Sequence, residues 1–201
     1  MGLTIDPWSF PDAKYNPTSE GEKVIVLGGG CFWCVEAVFK ALDGVTAVRP
    51  GYAGDTASKA NYQTVSSGHT HHAEVVEVVY DSSRLGLAAI LKVFFAIAHD
   101  PTQVDGQGAD VGRQYRSVIF YTDEMQRQVA EAYLKQIENA GVFDVPLATE
   151  LVPLEAFYEA EGYHHDYAAR NPDTPYIRVV AQPKLDKLRR YQAHLQEAEA
   201  R

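Results

Sequence analysis

The sequence predicts an α+β fold. Short β-branched runs alternate with stretches of helical periodicity along the chain, and the connection between two adjacent strands is of a length that suits antiparallel pairing. The chain has 201 residues, 46% hydrophobic and 22% charged, which is enough for one domain with a substantial core.

Residues 1–22 carry Pro7, Pro11 and Pro17 among polar residues and read as an irregular arm. Lys23–Leu27 is a short apolar strand, Gly28–Gly30 a turn, and Cys31 opens a helix. In that helix Phe32, Val35, Val38, Phe39 and Leu42 recur at helical spacing, and Asp43-Gly44 ends it. Val45–Val48 reads as a strand before the long polar loop PGYAGDTASKANYQTVSSG. Ala73–Tyr80 is β-branched and strand-like, and SRLGLAAILKVFFAIAHD suggests a buried helix. A second long loop, DPTQVDGQGADVGRQ, runs into the strand YRSVIFYT. Asp123 is placed to cap a helix through Asn139. TELVPL is a final strand, EAFYEAEGYHHDYAAR is expected to be helical, and an amphipathic tail closes the chain.

Composition excludes several classes. A formal net charge of −9 argues against nucleic acid and anionic membrane as partners. No apolar stretch approaches the roughly 20 residues that span a bilayer. The N-terminal residues lack the basic and apolar regions of a secretory signal, so a reducing cytoplasm is expected.

Both cysteines fall within GGGCFWC, at Cys31 and Cys34. A disulfide between neighbours in one helical turn closes almost no loop, so the pair reads as chemical. At a helix start, unsatisfied N–H groups and the helix dipole favour a thiolate on Cys31. Cys34, on the same helical face, is placed to attack a sulfenic acid on its neighbour and close a disulfide. Three alternatives stand beside this: an inert buried pair, a thioredoxin-type dithiol exchanger, and a zinc site completed by His69, His71 and His72. His164 and His165, on a tyrosine-rich stretch, are left open between core and surface.

The chain resembles the peptide methionine sulfoxide reductases of the A type, which act on the S epimer. The likeness rests on GGGCFWCVEAVF at 28–39, GYAGD at 51–55, NYQTVSSG at 61–68 and HAEVVEVVYD at 72–81. HDPT at 99–102, QGADVGRQYRS at 107–117 and AEGYHHDY at 160–167 complete it, all in family order. The resemblance implies a ferredoxin-like two-layer sandwich with a mixed, largely antiparallel sheet and long functional loops. It implies a catalytic domain at 23–182, between the arm at 1–22 and a helical tail at 183–201.

The implied activity is reduction of methionine sulfoxide, in proteins and as the free amino acid, by a monomer without metal or organic cofactor, recycled by thioredoxin or a similar thiol. Cys31 is then the nucleophile, Phe32 and Trp33 wall the pocket for the S-methyl group, and Glu74 protonates the sulfoxide oxygen. Tyr62 and Tyr115 hydrogen-bond nearby, and Asp110 assists. Many members carry a further resolving cysteine later in the chain. Here Ser66 stands in the loop and no cysteine follows Cys34, so the resolving role falls to Cys34 or to an external thiol. His71 stands where glycine is usual.

The acid role has its own physical argument. A carboxyl group donates a proton near neutral pH only if burial keeps it protonated. Strand alternation puts Glu74 on a face with Val76, Val78 and Tyr80, and Glu77 on the other with Val75 and Val79; both faces are apolar, so periodicity does not choose between them.

Overall fold

The computed structural model describes residues 5–17 and 19–199, without the side chains of 195–199. Residues 1–4 and 18 of the expected arm and 200–201 of the expected tail lie outside the described residues. Strand β1 (Glu22–Gly29), helix α1 (Phe32–Lys40), strand β2 (Val45–Ala53), helix α2 (Tyr62–Ser66), strand β3 (Ala73–Asp81) and helix α3 (Leu87–Val93) come first. A small hairpin, β4 (Gly106–Gln107) and β5 (Asp110–Val111), precedes strand β6 (Ser117–Tyr121) and helix α4 (Glu124–Asn139). Strands β7 (Glu150–Pro153) and β8 (Phe157–Glu159) and helices α5 (Tyr167–Arg170) and α6 (Gln182–Glu199) complete the chain.

Six strands form one mixed sheet in the order β7–β6–β1–β3–β2–β8, in which only β6 and β7 run parallel. Pleating divides the side chains between two clusters. Ile25, Leu27, Val76, Val78, Tyr80 and Ile119 pack with helices α1, α3, α4 and α6 in the main core. Val26, Ala53, Ala73, Val75, Val118 and Phe120 form a smaller cluster on the other face, under Val152, Leu154 and Phe157. With both faces covered, β1 and β3 read as nearly unbroken apolar runs.

Local signals place several boundaries well. Asp123 accepts the N–H of Gln126 at 2.8 Å and α4 ends at Asn139, as its cap and period predict. The arm is irregular but anchored: Phe10 is buried in the main core, and Tyr133 donates to the Pro11 carbonyl at 2.9 Å. Inside the first long loop, Asn61 caps α2 by accepting the N–H of Thr64.

Strands β1 and β2 run on to Gly29 and Ala53, past their expected ends, and the largest departure lies nearer the C-terminus. The helix expected over EAFYEAEGYHHDYAAR is instead edge strand β8, two turns and the four-residue α5. Strand β8 pairs with Gly51–Ala53 of β2, and the Phe157 ring occupies the space above Gly51, where a Cβ would lie 2.4 Å from it. A free sheet edge and a glycine hollow distant in sequence outweigh the local helical spacing.

Candidate active site

The site forms where β1 ends and α1 begins. Gly29 lies against the imidazole of His99, so an added Cβ would come within 2.9 Å of the ring, and Gly30 turns the chain at φ +93°. His99 cannot yield: its Nδ1 donates to the Phe94 carbonyl at 2.8 Å, and its Nε2 accepts from the Ser117 hydroxyl at 2.6 Å. Burial keeps this imidazole neutral, its pKa lowered to about 3. Cys31 is the N-cap of α1, its carbonyl taking the N–H groups of Cys34 and Val35 at 3.1 and 3.4 Å.

Glu74 enters from β3, on the sheet face shared with Val76 and Val78. Its Oε2 accepts the Phe32 N–H at 3.1 Å, so the carboxyl lies at the N-terminus of α1, beside Cys31. Burial raises its pKa to about 8, against the lowering effect of the Phe32 N–H, with the charges of Asp110 and Cys34 pushing the same way as burial. Glu77 points to the opposite face and pairs with Arg49. The fold thus separates two glutamates that alternation left equivalent.

The cysteine electrostatics correct the sequence expectation. Burial pushes the Cys31 thiol well above its ordinary value, and the hydrogen bond with Cys34 and the charge of Glu74 add to it. The Trp33 N–H at the helix start acts in the predicted direction but is outweighed. Cys34 moves down: its hydrogen bond with Cys31 outweighs burial, helped by the charge of Lys184 and by the Tyr176 hydroxyl. The two free thiols therefore move apart, and Cys34 is the easier of the pair to ionise.

Tyr62, at the start of α2, and Tyr115, before β6, both lie within electrostatic reach of Glu74 and Cys31. Burial pushes both hydroxyls up, and the charges of Glu74 and Cys31 add to it, which keeps them donors. Asp110 stands in the small hairpin, where its Oδ2 accepts the Tyr176 hydroxyl at 2.5 Å. The hairpin is held by Gln107, whose side chain takes the Asp100 N–H and donates to the Asp100 carbonyl. A cavity of about 330 Å³ touches Cys31, Cys34, Asp110, Tyr176 and Lys184.

Residues 23–197 match the family described as "Peptide methionine sulfoxide reductase". The chain belongs to the peptide methionine sulfoxide reductase family. It is a reductase of the A type, the class whose activity is peptide-methionine (S)-S-oxide reduction. It is 47% identical to peptide methionine sulfoxide reductase MsrA 2 of Synechocystis sp., over 94% of this chain and 95% of that one. It is 52% identical to the MsrA of Natronomonas pharaonis, over 81% and 91%. Among solved structures it is similar to the reduced form of Mxr1 from Saccharomyces cerevisiae, with a TM-score of 0.70, 34% identity and coverage of 80% and 91%. Methionine sulfoxide reductase A of Corynebacterium diphtheriae gives 0.64 and 29%, covering 87% and 94%.

In the reductase the two residues of the expected aromatic wall are placed differently. The Phe32 ring is buried against Tyr52 and His164, and its N–H is what holds Glu74. Trp33 is partly exposed, stacked on Tyr167 at 3.7 Å, with Nε1 donating to His164 Nδ1 at 3.0 Å. Burial lowers the pKa of His164, leaving a neutral ring free to accept that bond.

Sequence reasoning gave no role to the segment from Glu161 to Ala181, which covers the site. Glu161 takes the Tyr62 N–H and the Tyr52 hydroxyl, each at 2.8 Å, and so fixes the start of α2. Buried Glu36 receives the Asp166 N–H at 3.1 Å, tying this segment to α1. Tyr176 reaches Cys34 and lies beyond the last recognisable motif; its one signal was an aromatic ring in a Pro-containing connection. The loop histidines go elsewhere: His72 Nε2 bonds the Thr56 carbonyl, while His69 and His71 are exposed. Among the described residues no three metal-ligating side chains cluster, and no helix is long and apolar enough to cross a membrane.

Proposed function

We propose that this reductase acts on the S epimer of methionine sulfoxide, in proteins and as the free amino acid, through a Cys31 sulfenic acid and a Cys31–Cys34 disulfide. One observation carries the reading: a buried carboxyl, Glu74, with a pKa of about 8, sits beside the Cys31 thiol at a helix start. At neutral pH that carboxyl keeps a proton to give.

Cys31 attacks the sulfoxide sulfur while its own proton passes to Cys34. Glu74 protonates the sulfoxide oxygen, which moves to Cys31, leaving methionine and a sulfenic acid. Tyr62 and Tyr115 donate hydrogen bonds to that oxygen as charge develops on it, Asp110 assists, and Phe32 and Trp33 form the apolar wall for the S-methyl group. Cys34 then displaces hydroxide from the sulfenic acid and closes the disulfide. A thioredoxin-type dithiol reopens it, so the cycle needs no cofactor beyond thiols.

The enzyme is read as a cytoplasmic monomer engaged in protein repair, with its catalytic domain at 23–182, flanked by the arm and the tail. The order β6–β1–β3–β2, wound β-α-β-β-α-β, supports describing the core as ferredoxin-like. Separate S and R sulfoxides of a blocked methionine, assayed with dithiothreitol or thioredoxin, test the specificity; turnover of the R form at an equal rate would refute it. Glu74→Gln separates this reading from general dithiol exchange. It abolishes sulfoxide reduction and leaves disulfide exchange nearly intact, whereas equal loss of both supports the exchanger.

A further inference from the structure

We propose that Tyr176 is the proton relay of the resolving step, carrying the Cys34 proton to Asp110 as the disulfide closes. The inference rests on Cys34 being the resolving thiol. It adds a residue that lies outside the short motifs on which the sequence resemblance rests.

The geometry is a short chain of donors. When Cys34 carries a proton, its thiol donates to the Tyr176 hydroxyl oxygen at 3.9 Å, the long end of the range for a sulfur donor, and that hydroxyl donates to Asp110 Oδ2 at 2.5 Å. Cys34 is only 1% exposed and packed among Ala168, Ile177 and Ala181. Besides Cys31 itself, Tyr176 is the hydrogen-bond partner of this thiol among the described residues. Among the described side chains, a proton leaving Cys34 while Cys31 carries the sulfenic oxygen therefore has one hydrogen-bonded route, through Tyr176. Trp33 holds the relay ring edge-on, at 6.2 Å and 82°. Burial and the charges of both cysteines and Asp110 hold the tyrosine hydroxyl far above its ordinary value, so it passes a proton on rather than losing one.

The need for a relay follows from the first step. When Cys31 attacks substrate its proton goes to Cys34, and a protonated thiol is a poor nucleophile toward sulfur. In the second step the Cys34 proton moves to the Tyr176 oxygen while the tyrosine proton moves to Asp110. The electron pair left on Cys34 forms the S–S bond as the S–O bond of the sulfenic acid breaks. The departing hydroxide takes the proton from Asp110, which borders the same cavity as Cys31, and leaves as water. The sulfenic acid supplies the oxidising equivalents, so the balance closes within the site.

The test is Tyr176→Phe, which keeps the ring and removes the relay atom. Reduced protein is mixed with one equivalent of S sulfoxide, without reductant, and quenched over time across a pH series. Disulfide closure should slow about a hundredfold near neutral pH. Sulfenic acid should accumulate on Cys31, trappable with dimedone, and the rate should recover as pH rises and hydroxide deprotonates Cys34 directly. Closure at the unmodified rate, or slowing by the same factor at every pH, overturns the relay. Should the variant fail to fold, the solvent deuterium isotope effect on closure in the unmodified enzyme decides: an effect above unity with a curved proton inventory supports two protons in flight, and no effect refutes it. Thiol counting keeps the two ideas apart. Loss of one thiol rather than two after turnover of the unmodified enzyme refutes Cys34 as resolver, whatever Tyr176 does.

Discussion

Replacing Glu74 by Gln should stabilise the protein, and by an amount that grows with pH. The carboxyl has an ordinary value of 4.5 and a folded value of about 8. Below pH 4.5 it is neutral in both states and costs nothing. As pH rises, the unfolded chain ionises first while the native state holds its proton, so native stability falls by about 1.4 kcal/mol per pH unit until the folded value is passed. At pH 7 the buried carboxyl therefore costs about 3 kcal/mol relative to a neutral isostere, and above pH 8 about 5 kcal/mol. Gln keeps a side-chain oxygen for the Phe32 N–H while losing the acid. Urea unfolding of both proteins at pH 5, 7 and 8.5 should show a gap below about 1 kcal/mol at the lowest pH, widening toward these values. A gap independent of pH, or an unmodified protein that gains on the variant as pH rises, would refute the placement of the proton on Glu74.

The same carboxyl sets an upper limit on the pH of catalysis: the single-turnover rate of methionine formation should fall about tenfold per pH unit above about pH 8, where the acid form is depleted. An unbroken rise through that range would contradict it. Gly29→Ala should destabilise the fold by about 1–3 kcal/mol, because the methyl group meets a His99 ring fixed at both nitrogens; thermal melting measures it. Lys184→Met removes the cation whose charge lowers the Cys34 pKa, so thiolate absorbance should titrate at higher pH in the variant, and an unchanged curve would exclude that influence.

What the chain reveals in advance depends on how local the cause is. Asp123 and the period behind it place α4 to the residue because cap and apolar stripe are neighbours in sequence. The run KVIVLGGGCFWC likewise announces a strand, a turn and a helix, since glycine geometry and helix start are short-range facts. Strand β8 escapes such reading, because its partner is Gly51, a hundred positions away, and its own residues carry helical spacing. The motif points to Glu74 while alternation leaves it level with Glu77, and only packing shows which face of β3 looks into the site. The upward shift of the Cys31 thiol is hidden from the sequence for the same reason. The helix terminus is visible in sequence, whereas the burial and the carboxyl that oppose it come from β3 and the covering segment. His164, Glu161 and Tyr176 reach the site through contacts that span more than ninety residues.

The most direct measurement is a single-turnover mass balance. Fully reduced enzyme receives one equivalent of the S sulfoxide with no reductant present, followed by methionine quantification, thiol counting and peptide mapping. The account predicts one methionine per chain, the loss of both thiols and a Cys31–Cys34 linkage, with Cys34→Ser giving the same methionine and a trapped sulfenic acid on Cys31. Methionine without oxidation at Cys31, or oxidised thiols without methionine, would contradict it.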